Sequence, residues 1–416
     1  MSQYSIEDVL QFVEENDVKF IRLAFCDLNG NQKNISIMPQ QLLTSYESGI
    51  QFDSFLILGY DDPNFQDLYL KPDLDTLHVL PWRPQSGRVI RFYCDIVLND
   101  GSPYPFDCRK FLRDTLVECD SMNFTPMIGL HSEFYLFKTD EEGNPTDEPY
   151  DNCGYFDVAP KDKGENIRRE ICLTLEQMDI MPESSHHERG PGQNEIDFAS
   201  SDGLTTADHF VTYKNVVENV ASRNGAFASF DPKPIDDKPG NGLHIKMAIY
   251  KDGANIIETD KQFADEFMAG VFNRMKDITV FLNCRNDSYN RFGRSEAPKY
   301  ITWSAQNRSR LLRVLYNNGK PSCFILRSPD SCINPYLALA MIIRAGLEGI
   351  KNHEKLPAPQ DISSRELSDE QKSKIDKLPQ SLPEAIDYAK NSKFLHDSVF
   401  ADLADRYIQV IKSSNI

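Results

Sequence analysis

Apolar residues at helical spacing open the chain: Val9, Leu10 and Val13 follow the capping signal Ser5-Ile6-Glu7-Asp8 and predict a short amphipathic helix. The pattern then turns to strand. Lys19–Phe25, the turn Asp27-Leu28-Asn29-Gly30 and Lys33–Ile37 read as a β-hairpin. Val89–Val97 reads as a further strand, closed by Asn99-Asp100-Gly101. These elements predict a small, mostly antiparallel α+β module over residues 1–102, with Pro103 and Pro105 at a boundary and a larger domain over 103–416. In the larger part, helices are expected at about Arg109–Met122, Asn166–Met178, Ala207–Arg223, Asp260–Phe281 and Pro335–Gly349. Strands are expected at Met127–Phe137, Gln193–Phe198, Gly242–Ile249 and Ser322–Arg327, with a polar hairpin loop through Gly143. Residues 352–383 are rich in proline and charge and are expected to wrap the surface, and Ser381-Leu382-Pro383-Glu384 reads as the capping box of a final helical region.

Composition narrows the function classes. The 416 residues carry 45 Lys+Arg against 63 Asp+Glu, a net charge of −18, with 40% apolar residues. That is a globular chain with ample core, and a poor match to nucleic acid or an anionic membrane. The longest notable apolar run, Tyr336–Ile343, is far short of the roughly 18 residues that span a bilayer. Residues 1–16 show no basic n-region and no long apolar stretch, so no secretory signal is expected. The nine cysteines are scattered, without a CxxC pair, and suit reduced thiols in a cytoplasmic protein.

Candidate chemistry sits on alternate strand positions. His131, Glu133 and Tyr135 share a face of a strand otherwise apolar enough to be buried. A buried glutamate is expensive unless paired or on a metal. Glu188 follows His186-His187, and Glu195 ends the tight loop Gly190-Pro191-Gly192-Gln193-Asn194, so the two are able to converge. Such oxygen ligands suit Mg²⁺ or Mn²⁺. Taken singly, each glutamate is more often a surface or salt-bridged residue; the three together weigh that reading and a metal site evenly. His244 and Lys246 leave the turn Gly240-Asn241-Gly242 on one strand face, and Arg308, Arg310, Arg313 and Arg327 gather positive charge in an acidic chain. Phosphate or carboxylate recognition accounts for them, as does a salt-bridge network.

The strings FCDLNGNQKN (25–34), GIQFD (49–53), SEFYLF (132–137), HHERGPGQNEIDF (186–198), SFDPKP (229–234), SEAPKYITWSAQNRS (295–309) and RSPDSCINPYLALA (327–340) resemble the glutamine synthetase family in order and spacing, over nearly the whole chain. The resemblance implies an α+β fold: an N-terminal β-grasp domain, then a catalytic domain with a curved antiparallel sheet flanked by helices. It implies a ligase that forms glutamine from glutamate, ammonia and ATP through γ-glutamyl phosphate. It also implies Mg²⁺ or Mn²⁺ and a homo-oligomeric ring with active sites shared between neighbours. By resemblance, Glu133, Glu188 and Glu195 hold the tighter metal, and His244 belongs to the second metal and to the substrate pocket. Asp53, presented by a neighbouring subunit, and Glu296 on the flap handle ammonium, with Arg308 as a third catalytic group. Arg291, Arg313 and Arg327 bind substrate; Lys246, Arg308 and Arg313 face the nucleotide.

The chain departs from the family on the nucleotide side. His131 and Ile325 stand where glutamate ligands of the second metal are usual, and isoleucine coordinates nothing. Lys246, Ala248 and Cys323 replace family residues nearby. The sequence ends at Ile416, without the helical tail that grips an opposite ring, so a hexamer is expected, or a weaker dodecamer. Two alternatives stay open: a γ-glutamyl ligase for another amine, and a non-catalytic ring protein with a degraded nucleotide-side metal site.

Overall fold

The computed structural model of the chain describes residues 4–62, 64, 67–361 and 368–414. Its first helix, α1 (Ile6–Glu15), starts as the sequence predicts: Ser5 Oγ accepts from the Asp8 N–H, and the Asp8 carboxylate accepts from the Ser5 N–H. β1 (Val18–Cys26) and β2 (Gln32–Ile37) form the expected hairpin, in register from Ile21 opposite Ile37 to Cys26 opposite Gln32. Then come α2 (Leu42–Ser48), β3 (Ile50–Asp53), β4 (Asp67–Pro72), β5 (His78–Val79) and β6 (Arg88–Val97). The sheet runs β2-β1-β6-β4-β3, with β5 on the flank of β6. The sheet is mostly antiparallel, as expected, with one exception: β1 and the central strand β6 are parallel. Both are buried on both faces over a continuous stretch, β1 from Leu23 to Cys26 and β6 from Val89 to Cys94, as parallel pairing favours.

The second unit begins with α3 (Cys108–Ser121) and the long strand β7 (Thr125–Thr139), followed by β8 (Pro145–Pro149), α4 (Glu165–Glu176), β9 (Pro182–His187) and β10 (Gln193–Asp202). α5 (Gly203–Arg223), β11 (Ala226–Ser229), β12 (Leu243–Lys251), β13 (Ala254–Asn255), α6 (Ile256–Thr259), α7 (Lys261–Asn273) and α8 (Met275–Leu282) come next. The chain finishes with β14 (Trp303–Ser304), β15 (Leu312–Asn317), β16 (Lys320–Leu326), α9 (Pro335–Lys351), α10 (Asp369–Ser373), α11 (Leu382–Lys390), α12 (Lys393–His396) and α13 (Ala401–Ser414). A curled sheet in the order β14-β15-β16-β12-β7-β10-β9 forms its centre, with β7 also paired to β8 and β11. All of its pairings are antiparallel except β14 with β15.

Two local expectations are modified, and a third holds. The single helix over 260–281 breaks at Arg274, which leaves helical geometry (φ −102°, ψ 7°) while its guanidinium docks on Glu354 at 2.7 Å. At α11, Ser381 Oγ accepts from the Glu384 N–H, but the Glu384 carboxylate accepts from Gln380 rather than from Ser381. The 352–383 segment lies against the flap region through Trp303 to Pro357 and Arg310 to Gln360. Residues 362–367 of it lie outside the described residues.

The two units meet along α5 and the start of α9. Gly30 (φ +81°) turns the β1–β2 hairpin so close to α9 that a Cβ there would stand 2.6 Å from Asn334 Cα. Asn334 Nδ2 in turn donates to the carbonyl of Leu28. Tyr93 Oη hydrogen-bonds the Asp208 carbonyl and Thr212 Oγ1 of α5.

His209, the next residue on α5, titrates far from its usual range: burial, then His78, lowers it from 6.5 to about 4. A depressed imidazole leaves the folded state short of protons, so stability is lost as pH falls below 6.5, and the loss is complete below about 4. The full shift corresponds to roughly 3 kcal/mol. His209→Gln is expected to lose less stability than the parent between pH 7 and pH 4.5, read from urea midpoints at matched protein concentration. Equal losses in the two proteins would contradict this account.

Candidate active site

Cross-strand register builds the site from residues far apart in sequence. His131 and Glu133 stand two apart on one face of β7. On one side, β10 places Glu195 opposite Glu133 and Asp197 opposite His131, and β9 places His186 opposite Glu195. On the other side, β12 places His244 opposite His131; one pair further on, Lys246 faces Ile325 of β16, which faces Arg313 of β15. A cavity of about 350 Å³ lies over this ridge, and Glu133, Glu188, Glu195, His131, His244, Arg291, Glu296, Arg308, Arg313 and Arg327 all line it.

At the carboxylate end, Glu133 Oε2 accepts from the Gly242 N–H at 2.8 Å and from Gln193 Nε2 at 3.1 Å. Burial, then the neighbouring Glu188, pushes Glu133 up to about 7. Burial, then Glu133 and Asp197, pushes Glu195 up to about 11. Burial raises Glu188 too, but hydrogen bonds, led by His186 at 3.0 Å, outweigh it and hold Glu188 below the usual carboxylate range. Burial keeps His131 and His244 below the ordinary imidazole value, so both are neutral donors at pH 7.

Ligand atoms of His186, Glu188 and Glu195 lie within 4.8 Å of one another, and so do those of His131, Glu195 and Asp197. Buried His131 Nε2 and Asp197 Oδ1 have no hydrogen-bond partner. Crowded acids held protonated, orphaned donors and neutral imidazoles fit a cation at this end of the cavity. His186 and Asp197 are absent from the sequence-derived ligand set. The signal was there: each stands two residues from a named glutamate on a strand or strand end, the spacing already used for His131 and Glu133. Asp197→Asn is expected to weaken Mn²⁺ binding tenfold to a hundredfold by calorimetry. Unchanged affinity would exclude Asp197 from the cation's surroundings.

The other end is cationic. Arg291 is buried, donates to the Ser328 carbonyl at 3.1 Å and crowds Gly242, where a Cβ would stand 3.1 Å from its Nη2. Glu296 bridges the rim, 2.7 Å from Arg189 and 3.8 Å from Arg327. Buried Nε atoms of Arg313 and Arg327 have no partner, the state expected of groups that await an anion. Sequence reasoning missed Arg189, Gln193 and the Tyr155–Phe156 pair, stacked at 3.9 Å against His186.

Two expected residues lie elsewhere. Lys246 is not among the residues lining the cavity; its register pair is one step beyond His244, and its side chain lies beside Gly129. Asp53 is at the exposed end of β3, where its carboxylate accepts from the Phe55 N–H, outside the cavity of its own chain.

A curled sheet that gathers carboxylates and imidazoles at one end and guanidinium groups at the other defines a metal-assisted enzyme for a polyanionic substrate. Residues 105–415 match the glutamine synthetase catalytic domain, and residues 17–99 match the glutamine synthetase β-grasp domain. Glutamine synthetase of Clostridium saccharobutylicum is 41% identical over 97% of this chain and 94% of its own length. That of Methanosarcina mazei is 41% identical over 97% of this chain and 92% of its own. Among solved structures, the ADP complex of GmaS superposes with a TM-score of 0.88 at 25% identity, covering 98% of this chain and 95% of that one. Glutamine synthetase of Plasmodium falciparum shares the fold, with a TM-score of 0.86 at 23% identity over 100% and 96% of the two chains. The chain belongs to the glutamine synthetase family.

Proposed function

We propose that this chain is a glutamate–ammonia ligase that couples ATP cleavage to glutamine formation. The observation that carries the reading is one cavity with candidate cation ligands at one end and, at the other, guanidinium groups of which Arg313 and Arg327 have unpartnered Nε atoms. A carboxylate is a poor electrophile. Its γ-oxygen attacks the γ-phosphorus of ATP, ADP leaves, and ammonia then displaces phosphate from the acyl carbon.

Divalent cations, Mg²⁺ or Mn²⁺, bound among Glu133, Glu188, Glu195, His131 and His244 supply Lewis-acid neutralisation of the phosphoryl oxygens. Arg308 and Arg313 hold phosphate oxygens, with Lys246 adding positive charge beyond them. Arg291, Arg327 and His244 orient glutamate. Glu296 closes the rim and, with Asp53 of a neighbouring copy, binds ammonium and takes the proton it must shed before attack. Exposed Asp53, outside its own cavity, supports that shared arrangement in a homo-oligomeric ring, a hexamer or a weaker dodecamer. A division at residues 102/103 separates the domain that presents Asp53 from the domain that holds the cavity. Nine unbridged cysteines support a cytoplasmic location.

The test is ADP release by the assembled protein with ATP, Mg²⁺ or Mn²⁺, glutamate, and ammonium or a panel of small amines. ADP formation that requires both glutamate and ammonium and yields glutamine is the expected result. Stimulation by another amine alone would replace it with a different γ-glutamyl ligase; silence from folded, assembled protein would overturn the catalytic reading. Native mass spectrometry reads the ring, and a stable monomer would exclude it.

A further inference from the structure

The loop from Glu188 to Glu195 carries two of the candidate cation ligands, so its backbone decides where both carboxylates stand. It is held from behind the cavity. His186 lines the cavity; His187, the last residue of β9, is turned to the other side and is 1% exposed. There its Nε2 stands 2.9 Å from Asp151 Oδ1, and its Nδ1 stands 2.6 Å from the carbonyl of Glu188. Neither His187 nor Asp151 lines the cavity.

The partners fix the hydrogens of the ring. A backbone carbonyl only accepts, so Nδ1 donates to Glu188. Asp151 Oδ1 already accepts from the N–H groups of Gly192 at 3.0 Å and Cys153 at 3.2 Å, so it accepts from Nε2 as well. Asp151 Oδ2 accepts from the Lys163 N–H at 3.1 Å, which anchors the carboxylate to a second loop. The Glu188 N–H in turn donates to the Gln193 carbonyl at 2.8 Å. Both backbone polar groups of Glu188 are therefore tied, one across the loop and one to His187, while Asp151 ties Gly192 between the two glutamates.

A buried charged pair is often no better for stability than apolar residues of equal volume. What this pair supplies, and apolar side chains cannot, is direction: one carbonyl and one loop N–H are each held at a set place. The site needs that hold, because crowded carboxylates repel one another before a cation arrives. A loop free to relax would carry Glu188 away from Glu133 and Glu195. We propose that Asp151 and His187 are positioning residues of the cation site, which lock the Glu188–Glu195 loop so that both carboxylates face one cation before it binds. They act through the backbone of Glu188 and Gly192, and the proposal rests on the cation site of the reading above.

The test is Mn²⁺ binding to the full-length protein without nucleotide, read from the electron paramagnetic resonance signal of the free ion. His187→Gln keeps one amide donor group and cannot serve both acceptors, and Asp151→Asn places an N–H where an acceptor stood. Each is expected to weaken Mn²⁺ binding by about tenfold to a hundredfold, at a temperature where circular dichroism shows every protein folded. Arg109→Leu controls for instability alone: its guanidinium pairs with Asp208 at 2.8 Å, and the variant is expected to bind Mn²⁺ as the parent does. Parental affinity in either His187→Gln or Asp151→Asn, or equal weakening in Arg109→Leu, overturns the positioning role. A parent protein that binds no Mn²⁺ gives a different result, refuting the cation site itself.

Discussion

Glu133→Ala is expected to remain folded while losing ATP-dependent amide formation by on the order of a thousandfold. Metal neutralisation of phosphoryl charge is worth several kcal/mol. Each 1.36 kcal/mol is about a factor of ten in rate. The fold survives because Glu133 is a liability before cation binding: burial and Glu188 push it up to about 7, and it raises Glu195 in its turn. Its deletion removes that repulsion and leaves the Gly242 N–H without its acceptor, at a cost of about 1–3 kcal/mol. Glu133→Gln separates the two roles. It keeps an acceptor for Gly242 and the same volume, yet is expected to be nearly as inactive as alanine. Turnover with saturating Mn²⁺, alongside circular dichroism, measures both. Either variant within tenfold of the parent would displace Glu133 from the metal site.

The second large effect concerns stability. Arg109, 5% exposed at the start of α3, is forked on Asp208 at 2.8 and 3.0 Å and also meets Asp95 at 3.1 Å and Asp73 at 2.9 Å. It therefore ties the N-terminal sheet and its flanking loop to α5. Arg113 also pairs with Asp73 and Asp95, so the group stranded by its loss is buried Asp208, left with the Tyr336 hydroxyl. Breaking one side of a buried pair costs about 3–5 kcal/mol, and Arg109→Leu is expected to lose that much in chemical denaturation. Arg109→Leu combined with Asp208→Asn removes the stranded charge and should recover a substantial part. If the double variant is as unstable as the sum of the singles, charge burial is not the cause.

The sequence was informative wherever the information is local. The Ser5 capping box, the β1–β2 hairpin and the shared face of His131 and Glu133 follow from spacings of two to four residues, and the structure reproduces each. Partner choice between strands is not local. Period-two alternation says which residues share a face, not which residue of another strand lies opposite. So Asp197 escaped notice although it faces His131, while Lys246, set toward the nucleotide by the family resemblance, is not among the residues that line the cavity. The parallel β1–β6 pairing escaped for the same reason. Short strands such as β3 and β14 carry too few positions to show any period. The resemblance to a family filled part of that gap by supplying Arg291 and Glu296, which line the same cavity as Glu188 and Glu195.

The ridge of functional groups draws on β7, β10, β12, β15 and β16, so its members run from His131 to Arg327 in the chain. A chain emerging from the ribosome passes more than three quarters of its length before the guanidinium wall exists. Until then the carboxylates of β7 and β10 face each other without Arg313 and Arg327 across from them. On the proposed reading, the cation ligands of β7 and β10 are therefore made before the full set of nucleotide-side arginines. Truncated chains ending before β15 lack Arg313 and Arg327 of the arginines that line the cavity, so under the proposed assignment the phosphate-binding wall is complete only in finished subunits.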